Sequence, residues 1–161
     1  MRIYSIGHSD HTTEAFLGLL QQHHITVVVD VRSQPYSRWV PQFNREKLAH
    51  DLEVAGVRYI FMGDSLGGRP PSRESDDFEE EPPGYARMAR SPTYQDAIER
   101  LLALSAHEQV AMLCAEGDHR QCHRGKLITP TLLERGARVL HICPDGMLSE
   151  GRLRPRQLTL L

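Results

Sequence analysis

Val27-Val-Val-Asp-Val31 is an almost unbroken run of β-branched residues. A strand with one solvated face alternates apolar and polar positions, whereas a strand covered on both faces reads as a continuous apolar run. The stretch is therefore expected inside a parallel sheet flanked by helices. Upstream, Arg2-Ile-Tyr-Ser-Ile6 reads as a strand. Phe16, Leu17 and Leu20 then recur at helical spacing behind a Thr12/Thr13 cap, with Glu14 in the first turn. Downstream, Asn44 opens a helix with Leu48, Leu52 and Ala55 as its inner stripe; Gly56 stops it, and Val57 to Met62 forms a third strand. Ser91-Pro92 begins a helix that faces Ala97, Ile98, Leu101 and Leu102 inward, before a fourth strand from Val110 to Leu113. A last helix after Cys122 buries Leu127, Ile128 and Leu133, bends at Pro130 and ends at Gly136, ahead of a fifth strand from Val139 to Ile142.

Strand and helix signals thus alternate through the chain, without an internal repeat or a dividing linker. The expected fold is a single α/β domain over residues 1–161. It is three-layer α/β/α and Rossmann-like, with a mostly parallel sheet of about five strands. Two segments break the rhythm. Residues 64–91 hold Pro70, Pro71, Pro82, Pro83 and an acidic run from Asp76 to Glu81, and are expected to be a long loop, either solvated or a lid. Residues 147–161 are expected to be a C-terminal tail.

The 161 residues are 40% hydrophobic and 25% charged, with a net charge of −2, so no global basic field points to nucleic acid. The sequence has no apolar run near membrane-spanning length and no secretion-signal layout, and the three cysteines do not read as a disulfide framework. A cytoplasmic protein with no membrane partner is expected.

In an open parallel sheet, ligands bind beyond the carboxyl ends of the strands. The unusual polar residues gather there: Gly7-His8-Ser9 after the first strand, Asp30-Val-Arg32 with Ser33, Tyr36, Ser37 and Arg38 after the second, Leu66-Gly-Gly-Arg69 after the third, and Cys114-Ala-Glu116 after the fourth. The turns at the other edge read as ordinary helix stops. The run from Cys114 to Arg124 (CAEGDHRQCHR) crowds thiols, imidazoles, carboxylates and guanidiniums into one strand-to-helix turn, where a helix N-terminus lowers thiol pKa and attracts anions.

Several readings of that run stay open. Cys114 with Arg120 has the Cys-x5-Arg spacing of phosphatase-type and rhodanese-like loops, although Glu116 and Asp118 would repel a phosphate. Cys114, Cys122, His123 and His8 or His119 offer soft metal ligands, but the spacing matches no standard zinc knuckle, and no metal is expected. Cys114 could also be a small apolar residue closing a strand, or the segment could bind an anion or nucleotide without covalent chemistry. The candidate catalytic residues are Cys114, His8 and His123. The candidate substrate- or anion-binding residues are Arg32, Ser33, Arg38, Arg69, Glu116 and Arg124, since guanidinium matches phosphate bidentately. Asp30 is expected to orient Arg32 or a histidine, and Tyr36 and Trp39 either stack on a ring or pack locally.

The set Ile6-Gly-His-Ser9, Asp30-Val-Arg-Ser33, Phe43-Asn44, Leu66-Gly-Gly-Arg69 and Cys114-Ala-Glu116 with Cys122-His-Arg124 resembles the DUF488 family. The resemblance implies a small cytoplasmic α/β protein with Cys and Arg at its site, and no established activity. The functional expectation is an enzyme that binds a phosphate-bearing or nucleotide-like ligand at the carboxyl edge, using Cys114 and Arg124 and no cofactor. The alternatives are a non-catalytic nucleic-acid-associated module and rhodanese-like sulfur transfer. Gln157-Leu-Thr-Leu-Leu161 resembles a sliding-clamp docking peptide and makes that clamp a candidate partner, with a packed tail as the alternative.

Overall fold

The computed structural model describes residues 1–67 and 85–152. The sheet runs β3-β2-β4-β1-β5-β6, and its first five strands in that order are mutually parallel. These strands are β1 (Arg2–Gly7), β2 (Val27–Asp30), β3 (Arg58–Phe61), β4 (Val110–Cys114) and β5 (Arg138–Ile142). Period-2 alternation divides their side chains between two cores. Val27, Val29 and Val31 face one side with Met112 and Val139, where α5 (Pro92–Ser105) supplies Ile98 and Leu101 and α6 (Thr129–Glu134) supplies Leu132. Val28 faces the other side with Ile6 and Leu113, under Phe16 and Leu20 of α1 (Thr13–Gln22) and Leu48 and Leu52 of α2 (Arg45–Val54). Each fully buried Leu or Ile adds on the order of 1.5–3 kcal/mol relative to exposure.

The local signals act as expected at several helix ends. Thr12 Oγ1 accepts from the Ala15 amide at 3.0 Å, and Ser91 caps α5 with Pro92 in its first turn. Gly56 and Gly136 leave α2 and α6 with φ of 84° and 89°, the left-handed region where a Cβ is penalised. Asn44 holds the N-cap position of α2, yet its side chain instead accepts from the Ser37 amide at 2.7 Å and braces the loop after β2.

Three expectations need correction. Residues 64–91 are not loop throughout: α3 (Gly63–Leu66) begins them and α4 (Tyr85–Arg90) ends them, with Met88 and Ala89 packed on the core. Residues 147–161 are not all tail, because β6 (Leu148–Glu150) pairs antiparallel with β5. A tight turn reverses the chain there, with Gly146 N donating to Cys143 O and Cys143 N to Met147 O, both at 2.8 Å. The helix after Cys122 starts as a π-helical turn, Arg124–Ile128, and becomes α6 only at Thr129. Pro130 then falls in the first turn of α6, a position that tolerates its missing N–H.

The connections leaving β1 and β2 cross to α1 and α2 on one face, whereas the connection leaving β4 crosses to α6 on the other. β4 lies between β1 and β2. Chains diverge to opposite faces at its carboxyl end, which is the topological switch point where α/β sheets place ligands.

Candidate functional site

Cys114 is the last residue of β4, paired in register with Gly7. The two strand ends stay together past the sheet, through His8 N to Cys114 O and Ser9 N to Ala115 O, both 2.9 Å. Gly7 is required here: a Cβ would stand 1.6 Å from the Glu116 carbonyl oxygen, so only glycine lets the 115–117 loop cross the end of β1.

Cys114 keeps 3% of its surface exposed, and its sulfur lies 4.0 Å from His123 Nδ1. The other ring nitrogen, Nε2, is 2.8 Å from the Val31 carbonyl. A carbonyl can only accept, so Nε2 carries the proton and the bare Nδ1 lone pair faces the thiol. Burial lowers the His123 pKa. The Cys114 thiol is held at about 7, below the ordinary range, first by a hydrogen bond from the Cys122 thiol, then by the Glu116 and Ala115 amides and the Arg124 charge, against the opposing effect of burial. The same contact, with burial, pushes the Cys122 thiol up. The Cys122 thiol itself points at the His119 carbonyl, at 4.0 Å.

The expected arginine clamps are placed differently from one another. Arg124 is fully buried and turned into the protein, with one nitrogen donating to Glu116 O at 2.9 Å and Gly117 O at 3.2 Å and another to Ser5 Oγ at 3.4 Å. It ties the loop after Cys114 down onto β1. Arg32 is also buried, gripped bidentately by Asp30 through Nε and a terminal nitrogen, both 2.8 Å. Tyr59 donates to the same carboxylate. Asp30 therefore orients Arg32. Arg38 is exposed, with its guanidinium carbon 5.1 Å from the centroid of the exposed Trp39 ring. Ser33 lies against Gly67. Glu116 reaches the cluster through its backbone, and its side chain is exposed. Arg120, of the Cys-x5-Arg spacing, makes a bidentate pair with Asp118 at the surface. Arg69 and Gln157–Leu161 lie outside the described residues.

His8 is buried at the end of β1. Its Nδ1 donates to Ser9 O at 2.8 Å and its ring stacks on Phe43 at 4.6 Å. Burial, with the nearby Arg32 charge assisting, lowers its pKa to about 4.

Residues 12–129 match the family described as "Domain of unknown function DUF488". The chain belongs to the DUF488 family. No curated protein and no solved structure matches it. The DUF488 match includes Arg32, Cys114 and Arg124, while β1 and His8 precede it.

Sequence reading alone did not pair Cys122 with Cys114, and it missed a buried network behind Arg124. There Ser5 Oγ and His141 Nδ1 share a hydrogen bond of 2.5 Å, and His141 stacks on His119 at 3.6 Å. Burial is the main cause that lowers the pKa of both rings, and His141 is carried to about 3. Ser5 and His141 occupy register partners on β1 and β5, which no sequence pattern announces. Two surface grooves, of about 420 and 500 Å³, lie along edge strand β3 near Arg58, away from Cys114. The candidate site therefore rests on chemistry rather than on the shape of those grooves. Among the described residues no cluster of His, Cys, Asp and Glu could hold a metal ion, and no helix is long and apolar enough to cross a membrane.

Proposed function

We propose that this DUF488 protein is an enzyme whose nucleophile is the Cys114 thiolate, acting on a phosphate-bearing or nucleotide-like anion at the carboxyl edge of the sheet. The observation that carries this reading is the Cys114–His123 pair, in which the Val31 carbonyl fixes the imidazole tautomer and leaves Nδ1 to take the thiol proton. The sulfur then attacks the electrophilic centre, the bond to the leaving group breaks, and the proton held on Nδ1 passes to that group. Water releases the product and restores the thiol. The Ala115 and Glu116 amides, which lower the Cys114 pKa, also stabilise the developing anion in this reading. Arg38 is the exposed cation for the phosphate and Trp39 the exposed ring for a base, while Arg124 and Arg32 act as scaffold.

A second reading, rhodanese-like sulfur transfer, is favoured by Arg32 and Arg124 being bound to groups of their own chain, and by a second thiol at the nucleophile. The test has two parts. Iodoacetamide alkylation across pH 5–9, resolved by cysteine with mass spectrometry, should label Cys114 ahead of Cys143 at neutral pH. Equal or slower labelling of Cys114 removes the nucleophile. Turnover of an aryl phosphate against thiosulfate-to-cyanide sulfur transfer, each compared with Cys114→Ala, then separates the two chemistries.

A further inference from the structure

Arg124 braces the loop after Cys114 and must itself be held by something other than that loop. We propose that Ser5 and His141 are positioning residues for Cys114: they anchor the Arg124 guanidinium to the sheet, and His141 also holds the far end of the loop through His119. The proposal rests on Cys114 being the nucleophile, and it adds two residues that act on it through Arg124 and the loop.

The guanidinium has few partners. Two carbonyls of the loop, Glu116 O at 2.9 Å and Gly117 O at 3.2 Å, accept from one terminal nitrogen. Ser5 Oγ accepts from the other at 3.4 Å, and Nε has no partner among the described residues. No carboxylate pairs with Arg124 among the described residues. A fully buried cation without a counter-charge depends on its neutral acceptors. Of those acceptors only Ser5 belongs to the sheet, so Ser5 sets where the guanidinium stands.

Ser5 can anchor Arg124 only if its own hydroxyl is fixed. A guanidinium only donates, so Ser5 Oγ offers it a lone pair and gives its single proton to His141 Nδ1, 2.5 Å away. Nδ1 is then the bare nitrogen and Nε2 carries the ring proton. Burial, with His119 and Arg124 adding to it, lowers the His141 pKa to about 3, so this acceptor is present at neutral pH. The ring is covered by Gly151, where a Cβ would stand 3.3 Å from Nε2.

The same ring reaches the other end of the loop. It stacks on His119 with centroids 3.6 Å apart and planes 6° from parallel. His119 opens the 3-10 turn His119–Gln121, and a Cβ at Gly125 would stand 2.0 Å from its carbonyl oxygen. His141 thus holds residues 116 and 117 through Ser5 and Arg124, and residue 119 by direct stacking. The Ala115 and Glu116 amides, which favour the Cys114 thiolate, lie in this loop. A loop released at either point no longer holds them in place.

The experiment uses the full chain carrying Cys143→Ser as parent. To it are added Ser5→Ala, His141→Phe, the two together, His119→Ala, or Arg138→Ala as a control at the surface pair with Glu150. Iodoacetamide labelling of Cys114 is followed from pH 5 to 9.5, beside urea denaturation. Ser5→Ala and His141→Phe should each raise the labelling midpoint by at least about 0.5 pH unit, and Arg138→Ala should leave it in place. The double variant should shift it no further than the larger single change, because both residues act through Arg124. His119→Ala removes only the stack, and its shift should add to that of Ser5→Ala. Unshifted midpoints in variants that unfold cooperatively overturn the positioning role, whatever those variants cost in stability, and leave the nucleophile standing. If the buried variants do not fold, nitrogen NMR of the histidine-labelled parent at pH 7 decides. His141 as the Nε2–H tautomer supports the anchor, and the Nδ1–H tautomer or the imidazolium overturns it. A Cys114 that does not alkylate in the parent removes the nucleophile and this proposal with it.

Discussion

Replacing Cys122 with Ala removes the contact that contributes most to holding the Cys114 thiol at about 7. The Ala115 and Glu116 amides and the Arg124 charge remain, so the midpoint of Cys114 ionisation should rise by about one pH unit, or about 1.4 kcal/mol. The consequence for rate follows at pH 6. A thiol with a midpoint near 7 is roughly 9% thiolate there and one near 8 is roughly 1%, a ninefold loss of reactive form. The more basic thiolate is intrinsically the better nucleophile by about threefold, since the Brønsted coefficient is roughly 0.4–0.5. The alkylation rate at pH 6 should therefore fall only about threefold, while the rate on the alkaline plateau rises by a similar factor. The assay is stopped-flow or quenched iodoacetamide labelling of Cys114 from pH 5 to 9.5 in chains carrying Cys143→Ser, with and without Cys122→Ala. Extra room left by the missing thiol would scale the whole profile and leave its midpoint in place. A midpoint that stays put or moves down refutes the thiol–thiol hydrogen bond and the role assigned to it.

Arg124→Ala leaves the Glu116 and Gly117 carbonyls without their donor and should cost about 3–5 kcal/mol in urea denaturation, whereas Arg120→Ala at the surface pair with Asp118 should stay within roughly 0.5 kcal/mol; equal effects would contradict the bracing role. Gly7→Ala forces a Cβ into the Glu116 carbonyl and should both lower stability by more than about 2 kcal/mol and slow Cys114 alkylation, so a variant of normal stability would mean that the crossing is not tight. Stability should fall in mild acid. The folded values of His8 (about 4) and His141 (about 3) lie below the unfolded value near 6.5, so the unfolded chain binds more protons in that window and stability declines as pH drops from 6.5. At pH 5 the loss is about 2 kcal/mol per ring, or roughly 4 together, read as a lower urea midpoint than at pH 7; a midpoint unchanged between pH 7 and 5 would show that these rings are not held neutral.

The parallel core was legible because burial on both faces leaves a direct mark: Val27 to Val31 cannot be a half-solvated strand, and the helices announce their ends through Thr12, Ser91-Pro92, Gly56 and Gly136. The placement of His8, Arg32 and Cys114 at one edge followed from the same alternation, since parallel strands all point their carboxyl ends the same way. The Asp145-Gly146 turn that returns the chain as β6 carried a readable hairpin signal, and short strand length hid the rest. What the linear pattern could not supply was direction. Arg124 is one more arginine in a charged loop until the carbonyls of Glu116 and Gly117 close over it, and Arg32 is a free cation until Asp30, two residues earlier on the strand, turns to meet it. Where the Cys122 thiol points depends on how a 3-10 turn and a π-turn share the residues around it. Strand order and loop packing decide such choices. Periodicity reports which residues are buried, and only the assembled fold determines what each buried polar group meets.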